Sequence, residues 1–277
     1  MTDMLQVEGL NVAFPSRDGP VRVVRDVSFT LGRERLGIVG ESGSGKSQTG
    51  RAILGLTPAS GTVTADRLTF DGIDLRKASA RTWRSLRGPR MSMIMQDPKY
   101  SLNPVMTIGR QIVEAYRRRG DAARGDARAK AIAMLEAVQI RNPERVFRAY
   151  PHELSGGMGQ RAMIAMMLIA EPDLLIADEV TSALDVTVQL DVLKILDDLV
   201  RDRGMGLIFI SHDLRLVSSF CDRVLVMYAG RVVEQIAARD LRSAQHPYTQ
   251  GLLNCLPQID GDSAPLPTLT RDPAWLA

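Results

Sequence analysis

Residues 35 to 47, RLGIVGESGSGKS, constrain the fold more than any other segment of the chain. A compact apolar run ending in glycine reads as a strand buried on both faces. The octapeptide that follows it fits the pattern G-x-x-x-x-G-K-[ST] and opens a helix that begins at Lys46. Gly40, Gly43 and Gly45 let backbone N–H groups turn inward around an anion, because a Cβ at such positions blocks approach or forbids positive φ. The spacing then aims the Lys46 ammonium at the β- and γ-phosphates of a nucleotide and the Ser47 hydroxyl at its Mg²⁺, with the helix start adding partial positive charge. Glu41, Ser42, Ser44 and Gln48 complete the candidate nucleotide-contacting set. A chance Lys-Ser after a glycine-rich turn would lack the strand before it and the helix after it.

Further apolar runs at 173 to 178 (DLLIAD), 206 to 211 (GLIFIS) and 223 to 228 (RVLVMY) alternate with helical patterns, which predicts an α/β core with a mixed sheet. Residues 4 to 14 and 23 to 31 alternate apolar and polar side chains instead, as antiparallel strands near a sheet edge do. From about residue 80 to 165 the pattern turns helical and arginine-rich, with helices expected at 109–119, 126–139 and 157–170. An α-helical subdomain inserted at about 90–165 of one domain spanning 4–256 accounts for this. The remainder, 257–277, is rich in Pro, Asp and small residues without a period and reads as an extended or mobile C-terminal extension.

Composition narrows the function classes. With 45% hydrophobic and 24% charged residues the chain has ordinary globular usage, and no run reaches the roughly 18 apolar residues of a membrane span. The start, MTDMLQVEGLNVAF, shows no secretory signal, so a cytoplasmic location is expected. The net charge of +3 comes from 35 basic residues interleaved with 32 acidic ones. The one tight cluster, Arg117 to Arg119, reads as a solvated helix end, and without interleaved aromatic residues it does not support a nucleic-acid surface. Cys221 and Cys255 have no metal-ligand or CxxC spacing and read as small apolar residues.

Two further motifs carry chemistry. In DLLIADE, Asp178 at the strand end is suited to hold Mg²⁺ through water, and Glu179 just past it is suited to polarise a water that attacks the γ-phosphate. Alone, such a pair is commonly a helix N-cap; beside a phosphate loop it reads as catalytic. In LSGGMGQR, residues 154 to 161, Ser155, Gly156 and Gly157 precede a helical run and form a second anion-binding helix start. One compact domain need not aim both starts at the same nucleotide. A head-to-tail dimer does, with the Lys46 loop of one chain facing the Ser155 loop of another across two bound nucleotides.

On these motifs the chain resembles the nucleotide-binding subunits of ABC transporters from residue 4 to about 256, LSGGMGQR being highly specific for that superfamily. The resemblance implies an ATPase with Mg²⁺, and it extends residue by residue. Phe14 resembles the aromatic residue that stacks on adenine, and Gln96 the glutamine whose loop senses Mg²⁺ and the membrane subunits. Ser182, Ala183, Leu184 and Asp185 resemble the loop that crosses to the partner site, and His212 the histidine that contacts the γ-phosphate. The strings QDPKYSLNPVMTIG, YPHELSGGM, ALDVTVQ and HPYTQGLL are similar to those of dipeptide, oligopeptide and nickel importer ATPases. This implies two transmembrane permease subunits, a second ATPase chain that is identical or different, and a solute-binding protein. The subunit would be peripheral, on the cytoplasmic face of the cell membrane. Peptide is the first choice of solute and nickel or a metal chelate the alternative; a non-transport ATPase clamp would call for coiled-coil arms or a second cassette. The chain departs from the family in two places. Val180 stands where proline is usual, with the strand exit expected to survive at some gain in freedom. No cysteine cluster follows HPYT, so no iron-sulfur centre is expected.

Overall fold

The computed structural model describes residues 3–95, 101–120, 126–180, 185–255 and 275. The chain opens with β1 (Leu5–Phe14), β2 (Val21–Leu31) and β3 (Arg35–Val39), then α1 (Lys46–Ile53) and the short strands β4 (Thr62–Thr64), β5 (Arg67–Phe70) and β6 (Ile73–Asp74). Next come α2 (Ala80–Leu86), β7 (Met91–Ile94), α3 (Ile108–Arg117), α4 (Ala127–Ala137), α5 (Pro143–Arg148) and α6 (Gly156–Leu168). The rest comprises β8 (Leu174–Asp178), α7 (Val186–Arg203), β9 (Gly206–Ile210), α8 (Leu214–Phe220), β10 (Arg223–Tyr228), β11 (Arg231–Ala237) and α9 (Pro247–Asn254). The chain divides into two compact units, 1–77 with 209–277 and 78–208, and β9 runs across the division.

In the first unit, an antiparallel sheet has the order β2-β1-β5-β6, with β4 also pairing β1. The register sets Leu5 opposite Leu31, Val7 opposite Phe29 and Val12 opposite Val24, all buried, so alternation supplies this core one face at a time. The sequence pattern suggested a sheet edge; β2 is an edge, whereas β1 is flanked on both sides. A second layer pairs β10 parallel to β3, Val224 opposite Gly37 and Val226 opposite Val39, with β11 antiparallel outside β10. Here Ile38, Val39, Leu225 and Val226 are all fully buried, which is why these strands read as continuous apolar runs and not as alternating ones. Asp213 caps α8, its side chain accepting from Arg215 N at 2.9 Å and Leu216 N at 3.1 Å. Burial pushes the Cys221 thiol, at the end of α8, up to about 12, against the weaker opposing pull of Arg35. That thiol packs as a small hydrophobe.

In the second unit, β7 pairs parallel to β8, with Met91 opposite Leu174 and Met93 opposite Ile176. Strand β7 lies inside the stretch that the pattern reads as helical, and its buried run Met91–Ile94 belongs to the sheet instead. Beyond it, α3, α4, α5 and α6 pack on one another, close to the helical ranges expected. Helix α6 buries Ala162, Met163, Ile164, Ala165 and Leu168, so its interior is apolar almost all round. Two residues of the arginine cluster at the end of α3 form ion pairs, Arg118 with Glu114 at 3.3 Å and Arg119 with Glu171 at 2.8 Å. Among the described residues, no helix is long and apolar enough to cross a membrane.

Candidate functional site

The first unit carries the glycine-rich loop between β3 and α1. Gly40, Gly43 and Gly45 have φ of 149°, 81° and 101°, so the loop uses the left-handed backbone that its sequence predicts. Two of these positions also lack room. A Cβ on Gly40 would lie 2.1 Å from Met227 O, and one on Gly45 would lie 2.5 Å from Val23 O. Gly45 is the N-cap of α1 and supplies no side-chain cap, an arrangement compatible with an anion at the helix start. Lys46 is buried, and its Nζ donates to Gly40 O and Glu41 O, both at 2.8 Å, and to Ser44 Oγ at 3.5 Å. Its ammonium is thus held inside the ring of the loop.

Neighbouring segments fix the loop from outside. Gly230 N, in the β10–β11 turn, donates to Ser44 O at 3.0 Å. Glu41 N donates to Tyr248 Oη at 2.9 Å, so the fully buried tyrosine of α9 reaches back 207 residues to the loop. Tyr248 in turn packs against Tyr228 and Trp275, with ring centroids 4.5 and 5.6 Å away. Trp275 belongs to the C-terminal extension, whose other residues lie outside the described ones. Ser42 and Gly43 are exposed, Ser47 and Gln48 are half-buried, and Gln48 Oε1 is buried without a hydrogen-bond partner. Phe14 ends β1 half-buried, with its ring edge against Gly61, where an added Cβ would approach to 2.7 Å. His212 is exposed just ahead of the α8 cap.

The second unit carries the carboxylates and the other helix start. Asp178 is buried at the end of β8, and Glu179 follows with φ of 49°. A left-handed glutamate costs about 1–2 kcal/mol, a strain of the kind concentrated at functional sites. The left-handed turn at Glu179 has no counterpart in the sequence pattern, and Val180, which stands where proline is usual in the family, is fully buried. Ser155 caps α6, its Oγ accepting from Met158 N at 3.4 Å, and it is exposed, as is Gly156. Cβ atoms on Gly156 and Gly157 would meet nothing within 4 Å. Asp185 caps α7 in the same way, accepting from Val188 N at 3.1 Å. Both helix starts open on one groove of about 860 Å³, lined also by Arg141, Arg145 and Arg161. Gln96, Ser182, Ala183 and Leu184 lie outside the described residues.

Sequence reasoning missed two residues that touch these sites. Tyr248 carries no local signal of its contact with the loop. Gln160, fully buried in α6, donates from Nε2 to the Val180 carbonyl, and only its place in LSGGMGQR hints at a role.

The family described as ABC transporter matches residues 24–182. An oligopeptide transport ATP-binding protein of Salmonella typhimurium is 45% identical over 272 residues, covering 98% of this chain and 81% of that protein. A dipeptide transport ATP-binding protein of Bacillus subtilis is 44% identical over 276 residues, covering 99% and 82%. Among solved structures, a dimeric bacterial ABC transporter cassette superposes with a TM-score of 0.77 at 23% identity, over 85% of this chain and 99% of that one. That likeness shows the fold. With a family match over more than half of the sequence and relatives aligned along nearly all of it, the chain belongs to the ABC transporter family, as an ATP-hydrolysing subunit of its importer group.

Proposed function

We propose that this subunit couples ATP hydrolysis, with Mg²⁺, to uptake of di- or oligopeptides, in a head-to-tail ATPase dimer beneath two permease subunits that receive solute from a binding protein. The observation that carries the dimer is the pair of helix starts on separate units: the Lys46 loop in one, and the exposed Ser155 and Asp185 starts sharing a groove in the other. An exposed anion-binding start with no side chain over its glycines suits a phosphate presented by another chain. The peptide assignment is supported by the relatives, whose names give oligopeptide and dipeptide transport. A location on the cytoplasmic face of the cell membrane follows from the permease partners.

The residues present fit the chemistry. Lys46 and the N–H groups of the loop bind and orient the β- and γ-phosphates. The Ser47 hydroxyl and the Asp178 carboxylate are hard oxygen donors suited to Mg²⁺, which when bound offsets the negative charge of the phosphates. Glu179 orients a water in line with the γ-phosphate and takes its proton, while Ser155 and the α6 N–H groups of the opposite chain hold the γ-phosphate oxygens. Phe14 stacks on the adenine, His212 and Gln96 complete the contacts at the γ-phosphate and Mg²⁺, and Asp185 helps to close the interface.

Uptake tests this reading. A cell deleted for this chain is expected to lose accumulation of a labelled tripeptide while retaining that of ⁶³Ni²⁺; the reverse pattern would move the solute to nickel. The loop contact gives a second expectation. Tyr248→Phe removes one neutral hydrogen bond, worth about 1 kcal/mol, so the ATP concentration for half-maximal turnover should rise about fivefold with kcat nearly unchanged. An unaltered half-saturation would show that the loop holds its shape without the tyrosine.

A further inference from the structure

We infer that Gln160 is a positioning residue for Glu179, holding the left-handed backbone that aims the catalytic carboxylate. The inference rests on the ATPase reading above. Glu179 lies between two fixed points. On its N-terminal side the β7–β8 ladder holds the chain through Ala177, opposite Ile94. On its C-terminal side the Val180 carbonyl accepts a hydrogen bond from Gln160 Nε2. Asp178 and Glu179 therefore span the gap between the anchors, and Glu179 makes the turn at φ of 49°, a conformation that L side chains hold only when their surroundings impose it.

The amide is committed to this task. Gln160 is fully buried, and its Oε1 is buried with no hydrogen-bond partner. The orientation follows from chemistry, because turning the amide over would set its oxygen against the Val180 carbonyl. A buried glutamine that leaves its acceptor unsatisfied is a poor choice for packing alone, where leucine of similar size would avoid the desolvation cost. Its retained contact is the one to the residue after Glu179. Because α6 also begins at the Ser155 cap, the helix that presents the second anion site sets the aim of Glu179 in its own chain.

Gln160→Leu in the full chain tests this, with turnover read at saturating Mg²⁺-ATP. The expected result is a fall in kcat of about 10- to 100-fold, the scale of a misplaced catalytic group, with KM for ATP within about twofold. In a Glu179→Gln background the same substitution should lower the residual rate by less than about twofold, since the group it positions is already gone. A merely structural glutamine would change KM and kcat together and add its loss in both backgrounds; either result, or an unchanged kcat, overturns the assignment. Hydrogen exchange of the peptide spanning 174–180, read without nucleotide, stands apart from activity. It should quicken about tenfold in Gln160→Leu, and unchanged exchange overturns the brace even in a protein that hydrolyses no ATP. A wild-type chain without turnover would refute the ATPase reading alone.

Discussion

Glu179→Gln is expected to lower the ATP turnover number by about 10²- to 10⁴-fold, the range that loss of a general base commands, while ATP still binds. The amide keeps the size of the carboxylate and loses its capacity to take a proton, so the effect falls on the chemical step and not on the ground state. Equilibrium binding of ATP measured beside steady-state turnover checks this. The variant should accumulate with ATP bound, whereas turnover near the wild-type rate would remove Glu179 from the catalytic role.

Lys46→Ala should show the opposite signature. Its ammonium is held at 2.8 Å from both Gly40 O and Glu41 O, inside a loop whose glycine backbone fits around an anion. A hydrogen bond to a charged partner contributes about 1.5–3 kcal/mol. With contacts to two phosphates lost, affinity for ATP should fall by on the order of 100-fold, and turnover at ordinary ATP concentrations with it. Binding measured by calorimetry separates the two variants: Glu179→Gln retains ATP and Lys46→Ala does not. Retained affinity in Lys46→Ala would mean that the backbone N–H groups alone bind the phosphates.

The site was legible where the chemistry is local. A loop that needs three positive-φ glycines at fixed spacing announces itself, and Gly40, Gly43 and Gly45 adopt those angles. The buried strands were legible because β3, β8 and β9 lie within apolar surroundings on both faces and so lose alternation. The helix cap Ser155 was legible through its residue type, whereas the cap at Asp213 emerges only in the structure. What escaped depends on contacts between distant segments. Nothing around Tyr248 records that its hydroxyl meets Glu41, 207 residues earlier. Trp275, in a stretch that reads as extended, has its ring 5.5 Å from that of Tyr228. The strain at Glu179 arises from the β8 ladder and the Gln160 bond acting together, and intrinsic propensity predicts only that a glutamate would avoid such an angle.

In the proposed dimer, the Lys46 loop and the Ser155 start close on one ATP from opposite chains. Ser42 and Ser155 are both exposed, which makes them accessible to a short bifunctional thiol crosslinker once replaced by cysteine. Two populations of the chain, one carrying Ser42→Cys and the other Ser155→Cys, are mixed with ATP in a Glu179→Gln, Cys255→Ser background. The expected product joins one chain of each kind, forms with ATP and disappears without it. A crosslink that forms only within a single chain carrying both cysteines, and never between the two populations, would contradict the shared site.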